Sequence, residues 1–202
     1  MTPRFRPEAP NRRRHAPEIR GTRTVHDGWA TFLVAEVTTP EGAAVTREIE
    51  DHGEAVCVLP YDPERKVALL IRQFRAPPFF TAGVTDLLEV PAGLLDEADP
   101  AEGVRREAFE ETGLRLSHLE PVSTVWSVPG ISTERMHLYL APYAESDREG
   151  PGGGLAEEHE AITVVEMPLS TLAAMSEAGE IVDMKTLVLL LSLRLRRPEL
   201  FA

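Results

Sequence analysis

The sequence has almost no cysteine: Cys57 is the only one among 202 residues. A single cysteine excludes an internal disulfide and is typical of cytosolic proteins. Cys57 lies in an apolar segment, which favours a buried structural thiol over a reactive one. We therefore expect a cytoplasmic protein.

Long apolar runs are also missing. The run from Leu187 to Leu191 is far shorter than the roughly 20 residues that a membrane span needs. The first residues are rich in proline and arginine and lack the apolar segment of a secretory signal. The sequence therefore predicts neither a signal peptide nor a membrane partner.

Basic residues are scarce relative to acidic ones. The chain has 21 Lys and Arg against 33 Asp and Glu, and a net charge of −12. This balance argues against a general nucleic-acid or membrane-surface binder. It does not exclude a nucleotide substrate, because a bound metal ion reverses the local charge.

The arginines cluster in the first 17 residues, where five of them and one glutamate give +4 and leave −16 for the rest. We expect residues 1–17 to be a disordered basic tail. One short basic cluster is weak evidence for nucleic-acid contact, so we expect no such partner. The overall composition, 43% hydrophobic and 27% charged, is ordinary for a globular protein with one domain and a small appendage.

The strand pattern divides the remaining chain in two. Strands at 28–38 and 44–50, joined by a turn at 40–42, predict a hairpin in an N-terminal β-subdomain of residues 18–52. A hairpin alone is unstable, so it must pack on the main domain or on a second subunit. Residues 53–202 alternate strands with helices, which predicts an α/β fold with a mixed sheet between helices. Within them we expect loops at 76–85 and 143–155 and an apolar helix at 184–196.

A helix framed by two glycines lies in the middle of the main domain. Gly93 precedes it and Gly113 is a suitable C-terminal cap. Asp99 is a favourable N-cap, and Pro100 suits the first helical position. Glu102, three residues after the cap, is placed to complete a capping box.

This helix concentrates carboxylates where they are unfavourable. Glu107 and Glu111 are four residues apart and share one face, with Glu110 beside them. Like charges repel, and acids near the C-terminus oppose the helix dipole. A hard divalent cation such as Mg²⁺ would reward this clustering, because it prefers oxygen ligands and often shares its site with phosphates. A solvated acidic face is the alternative.

The same helix resembles the Nudix box, whose pattern is G-x5-E-x7-R-E-U-x-E-E-x-G-U with U aliphatic. The second half is matched in full by Arg106-Glu107-Ala108-Phe109-Glu110-Glu111-Thr112-Gly113-Leu114. In the first half Asp99 replaces the glutamate, and six residues rather than seven precede Arg106. The GDP-mannose pyrophosphatases of the Nudix superfamily carry the same shortened box, and the chain resembles them from about Trp29 to Leu195.

The resemblance implies a Nudix α/β/α sandwich with a mixed sheet and an N-terminal antiparallel β-subdomain that is exchanged in a homodimer. It implies Mg²⁺ as cofactor, with Mn²⁺ as an alternative. The implied metal ligands are the carbonyl of Ala92 and the carboxylates of Glu107, Glu110 and Glu111. In the resembling enzymes the loop before a late strand brings an acid over the metal, as general base or last ligand. The spacing E-x-I-x-V matches Glu160 to that acid, with Glu157 and Glu158 as alternatives. Arg106 would orient the acids.

The resemblance also marks substrate-binding residues. They are Trp29, Arg47 and Glu48 in the N-terminal subdomain, and Arg75, Gly93, Glu134 and Lys185 in the main domain. Trp29 fits a core or interface anchor equally well. Lys185 would begin a helix, where a cation is mildly unfavourable. Left unpaired, it would serve only solubility, and a substrate oxygen is one compensating partner. The alternative is that Asp183 is the N-cap and Lys185 is merely exposed to solvent.

Three functions remain open. The first is hydrolysis of GDP-mannose to GMP and mannose 1-phosphate. The second is hydrolysis of ADP-ribose to AMP and ribose 5-phosphate, and the third is non-catalytic nucleotide binding. The shortened box and the segment Asp183-Met184-Lys185-Thr186, which is similar to the D-G-K-T of the GDP-mannose enzymes, favour the first. The complete R-E-x-x-E-E core argues against the third.

Overall fold

The computed structural model describes residues 16–96, 98–155 and 161–202, which form two units. The N-terminal unit contains the chain up to His52 together with residues 128–133. The larger unit contains residues 53–127 and 134–202. The predicted tail, except for Ala16 and Pro17, lies outside the described residues.

The N-terminal unit is a three-stranded antiparallel sheet in the order β1-β2-β3. Its strands are β1 (Glu18–Asp27), β2 (Thr31–Thr38) and β3 (Ala44–Asp51). The hairpin of β2 and β3 confirms the predicted pair, and its turn is closed by the Gly42 N–H, which donates to the Thr39 carbonyl at 2.8 Å. The loop at 128–133 joins this sheet, since the Glu50 N–H donates to the Ile131 carbonyl at 2.8 Å.

Two expectations for this unit need correction. Residues 28–30 form a bend that precedes β2 and are not its first residues. Strand β1 was not predicted as a strand, because its ten residues are all exposed and show no apolar alternation. Backbone pairing with β2, from Glu18 opposite Thr38 to Asp27 opposite Thr31, places it in the sheet.

The larger unit contains a mixed sheet in the order β10-β5-β4-β9-β8. Its strands are β4 (Ala55–Asp62), β5 (Val67–Gln73), β6 (Leu87–Glu89), β7 (Ala92–Leu94), β8 (Glu120–Trp126), β9 (Arg135–Pro142) and β10 (Thr163–Pro168). Strands β4 and β9 are parallel, and the other pairs are antiparallel. Every residue of β4 is buried, as expected for a central strand covered on both faces.

Helices cover both faces of this sheet. The helices of the larger unit are α1 (Ala76–Ala82), α2 (Pro100–Thr112), α3 (Leu169–Ala178) and α4 (Met184–Arg196), with 3₁₀ turns at Glu145–Asp147 and Pro198–Phe201; α2 covers one face of the sheet, and α3 and α4 cover the other. On one face Val104 and Ala108 of α2 pack with Val56 and Val58 of β4. On the other face residues of α3 and α4 join Cys57 and Leu59 in a second core cluster. The predicted α/β/α sandwich is confirmed.

Two predicted loops contain regular structure. Residues 76–85 include α1, which tolerates proline in its first turn and ends at Gly83 with φ of 69°. No residue of α1 is buried, and its seven residues with two prolines are too few to show a helical period in the sequence. Residues 143–155 include the 3₁₀ turn at Glu145–Asp147 and are tied to α2 by backbone hydrogen bonds. None of the described helices is both long and apolar enough to cross a membrane.

Candidate active site

The site is built where the central sheet divides. Strands β4 and β5 pair with each other at Tyr61 and Asp62, near their connecting turn. Further along, β5 pairs with β6 and β4 pairs with β7. The short segment that joins β6 to β7, Val90 and Pro91, therefore crosses from one central strand to the other. Side chains that flank this segment meet the helices at the same end of the sheet.

Helix α2 begins and ends as its sequence predicts. The Asp99 carboxylate accepts a hydrogen bond from the Ala101 N–H at 2.9 Å, and Gly113 adopts the left-handed conformation with φ of 76°. Glu102 does not make the predicted capping box and instead pairs with Arg105 at 2.7 Å. These caps fix the rotation of the helix and therefore the direction of its acidic face.

The acidic face of α2 lies against the start of β7. Glu111 is only 1% exposed, and its carboxylate accepts a hydrogen bond from the Ala92 N–H at 2.9 Å. Glu107 is 9% exposed and lies beside Gly93, where a Cβ atom would come within 2.0 Å of its Oε1. Only glycine leaves room for the Glu107 carboxylate at this position. The structure thus brings Ala92, Gly93, Glu107 and Glu111 next to one another.

Arg106 holds two of the acids in place. Its Nη1 donates to Glu110 at 2.8 Å, and its Nη2 lies 2.8 Å from a carboxylate oxygen of Glu107. Nη2 also donates to the Leu94 carbonyl at 3.3 Å. The guanidinium therefore links the acidic face of α2 to β7 and orients both carboxylates.

The donor chemistry of this site fits a hard divalent cation. Carboxylate oxygens from Glu107, Glu110 and Glu111 lie at one end of the helix, beside the backbone of Ala92. Within residues 16–96, 98–155 and 161–202, no three His, Cys, Asp or Glu side chains stand close enough together to hold a metal. Glu107 and Glu110 are both paired with Arg106, and the oxygen ligands that a hard cation prefers come from these carboxylates, from Glu111 and from the Ala92 carbonyl.

The predicted loop acids, Glu157, Glu158 and Glu160, lie outside the described residues. The described residues that precede this segment are hydrogen-bonded to helix α2. The Gly153 N–H donates to the Glu111 carbonyl at 2.9 Å, and the Gly154 N–H donates to the Glu110 carbonyl at 3.1 Å. The Ile162 N–H in turn donates to the Gly153 carbonyl at 3.3 Å. Gly153 and Gly154, which precede segment 156–160 in the chain, therefore contact the C-terminal turn of α2, and Ile162, which follows it, contacts Gly153.

A second charged cluster surrounds Glu89, the last residue of β6. Arg75 donates to its carboxylate from Nε at 2.8 Å and from Nη2 at 3.2 Å, and the Lys185 ammonium donates to the same carboxylate. Lys185 also donates to Asp183 at 3.0 Å. Lys185 is therefore not left unpaired, and the alternative of simple solvent exposure is wrong: it is 8% exposed and contacts two carboxylates.

Burial and pairing act in opposite directions on the ionisation of this cluster. Burial alone would raise the pKa of Glu89, but hydrogen bonds and attraction from Arg75 and Lys185 bring that pKa below its usual value. Burial alone would lower the pKa of Lys185, but attraction to Glu89 and Asp183 raises it. Both side chains therefore stay charged at neutral pH, because the pairing outweighs the loss of water.

Glu89 is the residue that sequence reasoning missed. It begins the E-x-P-A-G segment and stands between two buried apolar residues, Leu88 and Val90. A charged residue at such a position was a usable signal, because carboxylates are rarely buried unless paired. Its partners were not visible, since Lys185 is 96 residues away in the sequence.

The remaining predicted residues are distributed over both units. Glu134 precedes β9 in the larger unit and is half-buried. Trp29, in the N-terminal unit, is 76% exposed and stacks on His52 with ring centroids 4.8 Å apart. Arg47 and Glu48, also in that unit, line an open groove of about 370 Å³. Gly130 and Ile131, from the loop at 128–133, contribute to the same groove.

Cys57 is fully buried in β4, as predicted. Burial raises the pKa of its thiol well above the usual range, so the group stays protonated. It is part of the core rather than of the site.

Known proteins resemble the chain in sequence and in fold. A family model described as NUDIX domain matches residues 51–185. A GDP-mannose pyrophosphatase of Cronobacter sakazakii is 40% identical over 167 residues, covering 81% of this chain and 86% of that protein. The protein with the same name from Pectobacterium atrosepticum is 41% identical over 145 residues, covering 71% and 74%.

The crystal structure of an ADP compounds hydrolase matches the fold with a TM-score of 0.73 at 19% sequence identity. The match covers 92% of this chain and 96% of that structure, and at this identity it supports the fold. The family model spans the site just described, from before Ala92 to Lys185. The chain therefore belongs to the Nudix family and is a hydrolase of pyrophosphate bonds.

Proposed function

We propose that this protein hydrolyses the pyrophosphate bond of GDP-mannose and releases GMP and mannose 1-phosphate. The observation that carries this proposal is the identity of 40% to a GDP-mannose pyrophosphatase over 81% of the chain, together with the shortened box and its acids. Because nucleotide sugars share the diphosphate that the site would bind, ADP-ribose is the second candidate. Because the fold also matches that of an ADP compounds hydrolase, ADP-ribose is included in the test.

The chemical problem in this reaction is charge. Two linked phosphates repel an incoming water, and the acidic face of α2 adds further negative charge. A bound Mg²⁺, or Mn²⁺, would neutralise the diphosphate and orient it for attack. The Ala92 carbonyl and the carboxylates of Glu107 and Glu111 would hold the ion, with Glu110 as a further ligand. In the reaction, the oxygen of water bonds to one phosphorus, and the bond from that phosphorus to the bridging oxygen breaks.

The protein groups would act by position and by proton transfer. Arg106 keeps Glu107 and Glu110 oriented through the two 2.8 Å contacts described above. Glu160 would accept the proton of the attacking water or would complete the metal site. This assignment is supported by the flanking residues, because Gly153 contacts the C-terminal turn of α2 and Ile162 contacts Gly153. Arg75 would bind the diphosphate, since a guanidinium matches phosphate oxygens in geometry and charge.

We also propose a homodimer in which the N-terminal unit packs on the partner subunit. Trp29, Arg47 and Glu48 would then bind substrate in the partner's site. Several apolar side chains of this unit are exposed, among them Ile19 at 60% and Val25 at 51%, which supports an association that covers them. A cytosolic location remains a prediction from cysteine usage.

The test is a substrate panel with the purified full-length protein. GDP-mannose, ADP-ribose, ADP-glucose and NADH are each incubated with Mg²⁺, and phosphomonoester products are released as phosphate by a coupled phosphatase. We expect the highest kcat/KM for GDP-mannose and loss of turnover with EDTA. A kcat/KM at least about tenfold higher for ADP-ribose, equivalent to about 1.4 kcal/mol in transition-state binding, would make ADP-ribose the substrate. No turnover of any compound would leave nucleotide binding as the function.

A further inference from the structure

Glu89 connects two basic side chains that come from distant parts of the chain. Arg75 is 14 residues away and Lys185 is 96 residues away. Arg75 uses its Nε and Nη2 atoms for the carboxylate, in the two-point geometry that fixes a guanidinium plane. None of its hydrogen bonds or ion pairs with other described residues uses Nη1. The Arg75 side chain is 41% exposed, so a ligand has access to it.

The charged cluster around Glu89 would be unusual if its role were only to stabilise the fold. Glu89 is 1% exposed, and a buried ion pair commonly stabilises a fold no better than well-packed apolar residues would. A buried ion pair does, however, fix the orientation of each of its charged groups. Two cations, Arg75 and Lys185, balance two anions, Glu89 and Asp183, so the cluster is electrically complete without a ligand.

Hydrogen bonds extend this cluster to the acidic site. Asp183 accepts from the Thr186 N–H at 3.0 Å and from its hydroxyl at 2.6 Å. The Thr186 hydroxyl oxygen accepts from the Val90 N–H at 2.8 Å. Two residues further along the same segment, the Ala92 N–H donates to Glu111. The strand segment that presents Ala92 is thus held on one side by α2 and on the other by the N-terminus of α4.

We propose that Glu89 is a positioning residue, which directs the guanidinium of Arg75 toward the substrate diphosphate and is itself fixed by Lys185. The proposal rests on the proposed function. Glu89 does not touch the substrate in this arrangement, because both of its oxygens are occupied by Arg75 and Lys185. Lys185 acts through Glu89 as well, since it is buried and already bound to two carboxylates. The substrate contact belongs to Arg75, through its Nη1 group.

The test is a double-mutant cycle between Glu89 and Arg75. The variants are Glu89→Gln, which keeps the shape and removes the charge, Arg75→Ala, and the combination. Binding of GDP-mannose is measured by calorimetry in EDTA, and KM and kcat are measured with Mg²⁺. We expect Glu89→Gln to raise Kd and KM by about tenfold and to change kcat by less than about threefold, because uniform binding is lost. In the Arg75→Ala background, Glu89→Gln should change Kd and KM by less than about twofold.

The matched control is Glu120→Gln. Glu120 also lies between two cations, Arg196 and Arg197, each at 2.6 Å, but at the opposite end of α4. This change removes a similar ion-pair cluster and should leave Kd and KM at the wild-type values. Glu89→Asp keeps the charge and should recover part of the affinity lost in Glu89→Gln. It also serves as the second variant if Glu89→Gln does not fold.

Equal effects of Glu89→Gln in both Arg75 backgrounds would overturn the proposal and leave Glu89 with a structural role. A failure of the proposed function is recognised separately, on the wild-type protein, by the absence of both turnover and binding of nucleotide sugars. In that case inorganic pyrophosphate is the probe for the same cycle. Pyrophosphate should still bind more weakly to Glu89→Gln and to Arg75→Ala, and the double variant should bind little worse than Arg75→Ala alone. If the two losses in affinity add up in the double variant, or if neither change weakens binding, the proposal is again overturned.

Discussion

Glu111 illustrates how much a single carboxylate is constrained by this fold. It is 1% exposed, although a carboxylate removed from water costs free energy unless hydrogen bonds or a cation compensate. The Ala92 N–H provides one such bond. Its place on the last turn of α2 also opposes the helix dipole. Because both its burial and its position on the helix cost free energy, we expect Glu111 to serve the reaction rather than the stability of the fold.

We therefore predict unequal effects at the two ends of α2. Glu111→Gln should lower kcat by about 10³ or more, the scale associated with loss of a key electrostatic group. Asp99→Asn should retain most of the activity, because asparagine also accepts the hydrogen bond of an N-cap. Steady-state kinetics with GDP-mannose and Mg²⁺ provide the measurement, and circular dichroism verifies that both variants are folded. Small and equal effects from both changes would contradict the metal assignment of Glu111.

Lys185 shows where reasoning from one residue was insufficient. A lysine at a helix N-terminus is unfavourable with respect to the dipole, which led us to expect a substrate partner. The compensation comes instead from Glu89 and Asp183, two carboxylates of the protein itself. The local argument identified the need for an anion, but not which anion supplies it.

At the scale of elements, the loop after β9 is joined to α2 more closely than its glycines suggest. Gly152 adopts φ of 68°, and a Cβ atom there would lie 2.4 Å from the Glu111 carbonyl oxygen. The next two N–H groups, of Gly153 and Gly154, donate to the last carbonyls of α2. This contact satisfies helix-end carbonyls that otherwise lack partners. In the sequence, segment 156–160 with Glu160 follows directly after this loop.

We predict that Gly152→Ala impairs catalysis through this loop. The new methyl group would collide with backbone atoms, and the positive φ is strained for alanine, so the loop must move away from α2. We expect kcat to fall by about tenfold or more, since catalytic groups are sensitive to displacements of about 1 Å. The measurement is steady-state turnover of GDP-mannose, accompanied by the melting temperature.

Gly150→Ala is the matched control for this change. A Cβ atom at Gly150 would have only ordinary contacts, 3.6 Å from Gly113 and 4.0 Å from Phe109. Its turnover should stay close to that of the wild type. Similar losses in both variants would show that the loop as a whole, rather than its contact with α2, controls the rate.

At the scale of the whole molecule, the two units differ in how they bury apolar surface. The larger unit has core clusters on both faces of its sheet. Among the described residues, the N-terminal unit contributes only Ala30 and Ala35 to the buried hydrophobic side chains, and β1 is exposed along its whole length. A three-stranded sheet with so little burial would be stabilised by packing against a further surface.

We predict a homodimer in solution. Light scattering of the full-length protein at micromolar concentration should give about twice the chain mass of 22.3 kDa. Phe32→Lys, on β2, should shift the protein toward monomer, because it puts a charge on a partly exposed apolar position of the N-terminal unit. Leu195→Lys, at an 84% exposed position of α4, is the control and should leave the mass unchanged. A wild-type mass near 22 kDa would refute the dimer.

Local spacing in the sequence determined helix α2, its caps at Asp99 and Gly113, and the shared face of Glu107 and Glu111, because these features depend on residues within one or two helical turns. The same holds for the hairpin of β2 and β3, whose turn and alternation are local. The sandwich of helices around a mixed sheet also followed from the order of elements. Strand β1 and helix α1 did not, because neither buries an apolar face that would leave a pattern.

Contacts between distant residues were decided by the tertiary structure. The sequence contains Arg75, Glu89 and Lys185, but only the pairing of β5 with β6 and the packing of α4 bring their charges together. Likewise, nothing in the glycines at 152–154 reveals that they meet the carbonyls of Glu110 and Glu111. The physical reason is that local patterns specify which face of an element is polar. Which partner meets that face depends on how the elements pack, over separations such as the 96 residues between Glu89 and Lys185.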